Sequence, residues 1–450
     1  MLKFKYLSLI VIFTLIFSVS CRKSDIEVDL TTIIHDDGNG TGNITWKKDQ
    51  NILLEGFVFV NPGQTLTIEP GTVIRAKTGQ AENASALIIA RGAKIIAEGT
   101  KEEPIIFTVE GDDLKGSVPI ESRGLWGGVI ILGNAQLNSE FNESKIEGIP
   151  LSETRGIYGG SVNNDNSGIL KYVSIRHGGT NIGEGNEING LTLGGVGSGT
   201  TIEYVEVISN QDDGFEFFGG TVNCKYLAAA FCGDDAFDFD EGYHGKGQFW
   251  LAIQAPSVGD HLAEHDGGID PVYGEPYCIP EIYNATYIGN GQLNSTQIMT
   301  FADNAGGKYY NSIFINQVQG VEIEYINSFN DSYHQFELGN LVFENNIFYN
   351  VENNDELMIL SAFSSSGTNL DAQQEVLQSY FTSANNEVAN PQIVITETDY
   401  NVVPSGDVES NLAAYPGEWF DTVSYKGAFA PTGENWLSEW SLLSKSGKIR

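Results

Sequence analysis

Two acidic stretches of matching pattern stand 22 residues apart, Asp212-Asp213-Gly214-Phe215-Glu216-Phe217 and Asp234-Asp235-Ala236-Phe237-Asp238-Phe239. If they stack as neighbouring strands about 4.8 Å apart, Asp212 lies over Asp234, Asp213 over Asp235 and Glu216 over Asp238. Like charges held that close raise at least one carboxyl pKa, recruit a cation, or stay tolerable through solvent exposure. Hard oxygen donors in this number suit Ca²⁺, so Asp212, Asp213, Glu216, Asp234, Asp235 and Asp238 are the expected metal ligands. Carboxylates about 5 Å apart also match a retaining glycosidase, and about 6.5–9.5 Å an inverting one. That makes Asp212, Asp234 and Asp235 the alternative, catalytic set. Asp and Gly also populate tight turns without binding anything.

A second cluster is His261 and His265 with Asp260, Glu264 and Asp266 between and beside them. On a helical turn both imidazoles would share a face, as zinc ligands require. The stretch lacks a full HExxH pattern, so a polar loop is the simpler expectation. Trp126, Trp250, Tyr158, Tyr243 and Tyr273 are candidates for stacking against sugar rings, although cores consume aromatics too. No Walker or nucleophile-elbow pattern occurs, and Gly194-Gly195-Val196-Gly197 leads into another strand, as a turn does.

The elements that would position these groups repeat at a fixed interval. Ile202, Val205 and Val207 return as Cys224, Leu227 and Ala229, and a further step carries the last two onto Phe249 and Leu251, which leaves Trp250 outward. Leu170, Val173 and Ile175 show the same pattern 32 residues earlier, as if a ten-residue loop had been added. Leu66, Ile68, Ile74 and Ala76 recur 21 residues on as Leu87, Ile89, Ile95 and Ala97. Alternating apolar residues at a period of about twenty predict one coil of a solenoid each. The fold class is therefore all-β, a single-stranded right-handed parallel β-helix with long loop insertions and a short inserted helix near the C-terminus. Residues two apart share a face, so Phe215 and Phe217 point inward and Glu216 to solvent. The 52 glycines serve the corners. Asn134 to Gly168 and Ala255 to Pro280 are long loops; leaving from one side, they would wall a groove. Asn311 aligns on Asn345 and Asn316 on Asn350 as turn ladders. Residues 371–383 have helical spacing, and the closing aromatics around Trp436 and Trp440 are expected to cap the open end.

Residues 1–20 read as an export signal, with Lys3 and Lys5 before an apolar run and Ser18-Val19-Ser20 before Cys21. Cys21 is the expected lipidation site. Residues 21–45 are polar and acidic and read as a flexible tether, and 46–450 as the β-helix domain with a C-terminal cap. A net charge of −35 argues against nucleic acid and suits divalent cations or neutral ligands. Cys224, Cys232 and Cys278 remain after Cys21; the odd number argues against a disulfide framework, and only a Cys232–Cys278 bridge is worth testing.

The runs NEINGLTLGGVGSGTTIEYVEV, DDGFEFFGGTVN and GDDAFDFDEGYHGKGQF, with the closing YKGAF and NWL, resemble a family of exported, often lipid-anchored β-helix proteins of Gram-negative bacteria. The resemblance implies fold and export and supplies no active site. A weaker resemblance is to polygalacturonase-type β-helix hydrolases. Asn210-Gln211-Asp212 and then Asp234-Asp235 stand where those enzymes carry Asn-x-Asp and Asp-Asp. Gly242-Tyr243-His244-Gly245 follows only nine residues after Asp235, and no Arg-x-Lys comes after it, so the pattern is incomplete.

The expected function is thus a lipid-anchored outer-membrane module, exposed at the cell surface, that binds or scaffolds without catalysis. Its expected ligand is a polysaccharide and its expected partner an outer-membrane receptor. A polysaccharide hydrolase or lyase is the alternative.

Overall fold

The computed structural model describes residues 31–182, 188–268, 271–291, 296–326, 329–396 and 399–449. The expected signal peptide and Cys21 lie outside the described residues. The chain winds as a parallel β-helix, as its alternating apolar pattern predicts. A ten-stranded sheet takes successive strands from Phe57–Val60 through Leu191–Gly194, Phe215–Phe218, Phe237–Asp240 and Ala263–Asp266 to Leu360–Phe363, every pair parallel. A nineteen-stranded sheet supplies the rest of the wall and bends at a corner. Its strand Gly168–Arg176 pairs with Lys94–Glu98 over the first half and Ile105–Val109 over the second, turning at Tyr172 between them.

The register around the acidic pair is as expected. Phe215 lies opposite Phe237 and Phe217 opposite Phe239, with ring centroids 5.4 and 5.2 Å apart and all four rings fully buried. Ile202, Val205 and Val207 pair with Cys224, Leu227 and Ala229, and with Leu170, Val173 and Ile175 on the other side.

Two alignments differ from expectation, and both for geometric reasons. Leu66 pairs with Ile95, while Leu87 pairs with Val58 in the other sheet. The 21-residue echo therefore relates two different walls of the solenoid, because each wall alternates in the same way. The coil after Ala229 carries one extra residue, so Ala229 pairs with Ala252. A one-residue slip exchanges the faces of a strand. Trp250 accordingly points inward, stacked on Phe237 at 4.7 Å, and its Nε1 donates to the Cys224 carbonyl.

From Gly168–Arg176 onward, successive coils turn the corner through a left-handed backbone. Tyr172, Tyr204, Tyr226 and Phe249 adopt φ of 49, 55, 57 and 61°, followed by Asn284, Asn311 and Asn345 at 56, 50 and 59°. Bulky residues pay about 1–2 kcal/mol for that conformation. Stacking offsets it: the first three rings lie 4.5 and 4.3 Å apart, nearly parallel. Asparagine tolerates the same backbone. These asparagines also donate to the carbonyls of Tyr425, Ala413 and Asn411, and Asn350 donates to Asn316.

Those contacts correct the expected C-terminal cap. Residues 411–449 run back along the corner as a strap. Trp436 meets Tyr204 and Tyr226 edge-on, Trp440 meets Tyr172, and Lys448 reaches Glu121. Their aromatics join Tyr172, Tyr204, Tyr226 and Phe249 in an apolar cluster outside the main core. The final coil is covered by the helix Asp371–Ser383, which does form as expected. Its Leu377 and Phe381 enter the core and its Gln374 satisfies the Leu360 carbonyl.

At the other end, residues 31–45, expected to be tether, join the solenoid. Thr31–His35 already pairs with Asn51–Glu55, and Ile44–Trp46 with Thr65–Ile68, burying Trp46. Both strands are short and mostly exposed, and the polar, glycine-rich stretch between them reads as a linker. Cys224, Cys232 and Cys278 are free buried thiols, so no Cys232–Cys278 bridge forms.

Candidate functional site: an acidic row on the outer face of the ten-stranded sheet

Along the ten-stranded sheet, residues between the inward rings line up across coils as Thr192, Glu216, Asp238, Glu264, Thr300 and Glu322. A parallel row two residues on holds Asp240 and Asp266. At the earlier coils the same outer face is apolar, with Phe59, Ile88 and Ile130, and lies under the loop bearing Leu137, Ile146, Ile149 and Tyr158. That loop and the one after Ala263–Asp266 meet at Asn138, whose side chain donates to the Gly267 carbonyl. The first long loop and the part of the second after Asp266 thus wall the row, while Ala263–Asp266, inside the expected loop of Ala255 to Pro280, is instead a strand of the sheet.

Their closeness corrects the exposure expected of Glu216. Its side chain is buried, at 6% accessibility, and takes a hydrogen bond from the Asn189 amide. Asp213 and Asp235 are buried as well, while Asp212 is half-buried and Asp234 exposed.

The acidic side chains gather into three groups, each with one donor atom per residue within 4.8 Å of the others: Asp212, Asp213 and Asp234; Asp213, Glu216 and Asp238, which shares Asp213 with the first; and, separately, Asp235, His261 and Glu264. The first two divide the six expected ligands except Asp235 between them. Asp235 belongs to the third, so the trio Asp212, Asp234 and Asp235 is not one group.

Part of this acid is turn chemistry. Asp213 Oδ1 accepts the Asp235 N–H at 2.9 Å, and Asp235 Oδ1 accepts the His261 N–H at 2.5 Å. Each coil's aspartate therefore fastens the next coil's turn. The remainder is uncompensated: Asp238 Oδ1 is buried with no hydrogen-bond partner. Among the described residues, His261 is the only basic side chain within ion-pair distance of Asp213, Glu216, Asp235, Asp238, Asp240, Glu264 or Asp266. Its Nδ1 lies 3.3 Å from Asp235 Oδ1, close enough for charge attraction but without hydrogen-bond alignment.

Burial, with neighbouring carboxylates second, pushes Asp213, Glu216 and Asp238 well above the usual carboxylate range. Burial pushes Asp240 to about 8, and Asp266 to about 6 with Asp303 adding to it. Glu264 rises to about 9 through burial and Asp235. Burial opposes the His261 imidazolium, but Asp235, Glu264 and Asp260 outweigh it and raise the ring to about 9.

Neither the expected polar loop nor the alternative helical pairing of His261 with His265 forms. Ala263–Asp266 is a strand, and alternation sends His265 inward between Phe239 and Phe301, at 4.8 and 4.1 Å. There Tyr309 hydrogen-bonds its Nε2, and burial holds the ring neutral, with its pKa near 3. It is a core residue, filling the place that phenylalanine takes one coil earlier. Of the sugar-stacking candidates, Trp126, Trp250, Tyr158 and Tyr243 are core residues too, and Tyr273 is the exposed one.

Fold and site together can be set against known proteins. A family model described as a pectate-lyase like beta helix domain matches residues 38–391. The chain belongs to this family. The match covers both walls of the acidic row and begins inside the segment expected to be tether. No curated protein and no solved structure is significantly similar to the chain. Membership of the pectate-lyase-like family fixes the scaffold; the chemistry has to be argued from the row itself.

Proposed function

We propose that the protein is a cell-envelope lipoprotein, held at the outer membrane and exposed at the cell surface, that binds polysaccharide without catalysis through an acidic row holding calcium. The observation that carries this reading is the buried, partnerless Asp238 Oδ1 beside Glu216 and Asp213. An all-oxygen donor set of this kind suits Ca²⁺, whose remaining positions backbone oxygens and water would fill. A bound divalent ion would supply the positive charge that Asp213, Glu216 and Asp238 lack, and would bridge them to an acidic or hydroxyl-rich glycan. An outer-membrane receptor is the partner this placement suggests.

The test is thermal. With calcium at about 100 times its Kd, linkage adds about 2.7 kcal/mol to stability. Chelation should lower the melting temperature, calcium should restore it, and Asp238→Asn should remove the response. A melting temperature indifferent to chelator and millimolar calcium would refute the calcium reading.

A second reading, hydrolase or lyase, draws on the family's description and on Asp212 and Asp234 forming the more accessible edge of the row. It predicts that Asp234→Asn abolishes turnover of some polysaccharide. The paired engagement of Asp235 by His261 favours the binding reading, because the third member of the catalytic set is already occupied.

Anchoring rests on Cys21 and the small residues before it. Cells fed a labelled fatty acid should label the wild-type protein and not Cys21→Ser; label retained on the variant would show that Cys21 is not the acyl site.

A further inference from the structure

Of the three acidic groups, that of Asp235, His261 and Glu264 differs in chemistry, because it alone holds a nitrogen donor. The groups around Asp213 offer oxygen only, as Ca²⁺ prefers. An imidazole nitrogen beside two carboxylates is instead a donor set for zinc, manganese, iron or cobalt.

The coil geometry builds this set from two successive turns. Asp235 lies in the turn before Phe237–Asp240, and the next coil's turn rests on it: the Asp260 N–H donates to the Asp234 carbonyl, and the His261 N–H to Asp235 Oδ1. The strand Ala263–Asp266 follows at once. Its alternation sends His265 into the core and leaves Glu264 outside, beside Asp238 and within reach of Asp235.

The contact between His261 and Asp235 is more than an ion pair of ordinary form. His261 Nδ1 is buried and has no hydrogen-bond partner, although Asp235 Oδ1 lies only 3.3 Å away. Two ligands each about 2.1 Å from one tetrahedral zinc ion stand about 3.4 Å apart, so a spacing misaligned for a hydrogen bond fits a shared metal. Asp235 Oδ1 keeps its bond from the His261 N–H in that role, and an outer contact of this kind orients a metal-bound carboxylate. The cluster is also open to solvent on one side. Asp260, whose Oδ2 is 4.0 Å from Nδ1, has a side chain 51% exposed, and Glu264 is half-buried, so an ion and its water have a way in.

We propose that Asp235, His261 and Glu264 bind one transition-metal dication of the zinc class, with His261 Nδ1 as the ligand that selects it over calcium and with water or Asp260 completing the shell. The ion would cross-link two coils where the spacing of the turn contacts changes from 22 residues, Asp213 to Asp235, to 26, Asp235 to His261. The site is separate from the Asp238 group and stands whether or not that group holds calcium.

Cobalt is the probe, since it occupies zinc sites and its visible absorption reports the ligands around it. The purified protein, stripped with chelator and exchanged into millimolar calcium, should take up Co²⁺ stoichiometrically with a saturable visible spectrum, and Zn²⁺ should abolish that spectrum by displacement. His261→Gln should weaken binding at least ~10-fold, the equivalent of about 1.4 kcal/mol. Glu264→Gln, which also relieves repulsion and so should fold at least as stably, should weaken it as well, with the far-ultraviolet circular dichroism of both variants unchanged. Any rise in melting temperature that calcium gives the wild type should persist in His261→Gln, so the two sites fail separately. A cobalt spectrum that calcium displaces, the absence of a saturable spectrum, or wild-type affinity in either variant would each overturn the proposal.

Discussion

Truncating Phe237 to alanine should lower the unfolding free energy by about 3–5 kcal/mol, the range for a large aromatic lost from a packed core. Phe237 is fully buried and touches rings on three sides: Phe215 in the coil before, Trp250 at 4.7 Å and Tyr287 at 5.6 Å. In a solenoid each coil packs mainly on its neighbours, so the cavity cannot be closed by a rearrangement elsewhere. Denaturant unfolding followed by tryptophan fluorescence is the measurement, since Trp250 reports on the same site. Phe329, which is 84% exposed, supplies the control: its alanine variant should change stability by no more than about 0.5 kcal/mol. A loss below about 1 kcal/mol for Phe237→Ala would mean that this ladder is not the core.

The same ladder shows where sequence was enough and where it was not. Phe215, Phe217, Phe237 and Phe239 were legible because two consecutive coils have equal length and identical patterns, so a single offset aligns both walls at once. The next coil breaks each condition. One extra residue before Trp250 exchanges inward and outward positions. Then His265 replaces the phenylalanine of the inward row, which hides that Ala263-Glu264-His265-Asp266 repeats Phe237-Asp238-Phe239-Asp240. Read in that register, Glu264 and Asp266 continue the acidic row and His261 falls at the turn beside Asp235. A search for metal spacing on a helix could not find this arrangement. The burial of Glu216 was invisible for another reason: it depends on loops whose path no periodicity encodes. The strap was likewise beyond reach, because aromatic residues near a chain end look alike whether they cover an end or a flank.

Calcium-free protein should lose stability as pH rises from 5 to 9, the reverse of ordinary acid unfolding. The carboxyls of the row are raised in the folded state, Asp266 to about 6, Asp240 to about 8 and Glu264 to about 9, against ordinary values near 4. Folded protein therefore holds protons that the unfolded chain has released. For a raised group the stabilisation is fully present below the unfolded pKa and disappears as pH climbs through the folded one. His261, raised to about 9 against an unfolded value near 6.5, acts in the same direction: the folded state keeps its proton longer. Each net proton so retained contributes a slope of about 1.4 kcal/mol per pH unit, reduced at the partly exposed members by screening. Calcium should flatten the profile, because a bound cation takes the place of those protons and its affinity rises as they leave. Asp238→Asn separates this account from a general effect of net charge. It removes one charge of dozens, yet it sits at the centre of the row, so in chelator at pH 8 it should melt higher than the wild type and show a shallower pH dependence. The measurement is a melting-temperature series from pH 5 to 9 in chelator and in calcium, for wild type, Asp238→Asn and an exposed control such as Glu434→Gln. A flat wild-type profile in chelator, or equal gains from Asp238→Asn and the exposed control, would show that the row carries no concentrated charge for a cation to answer.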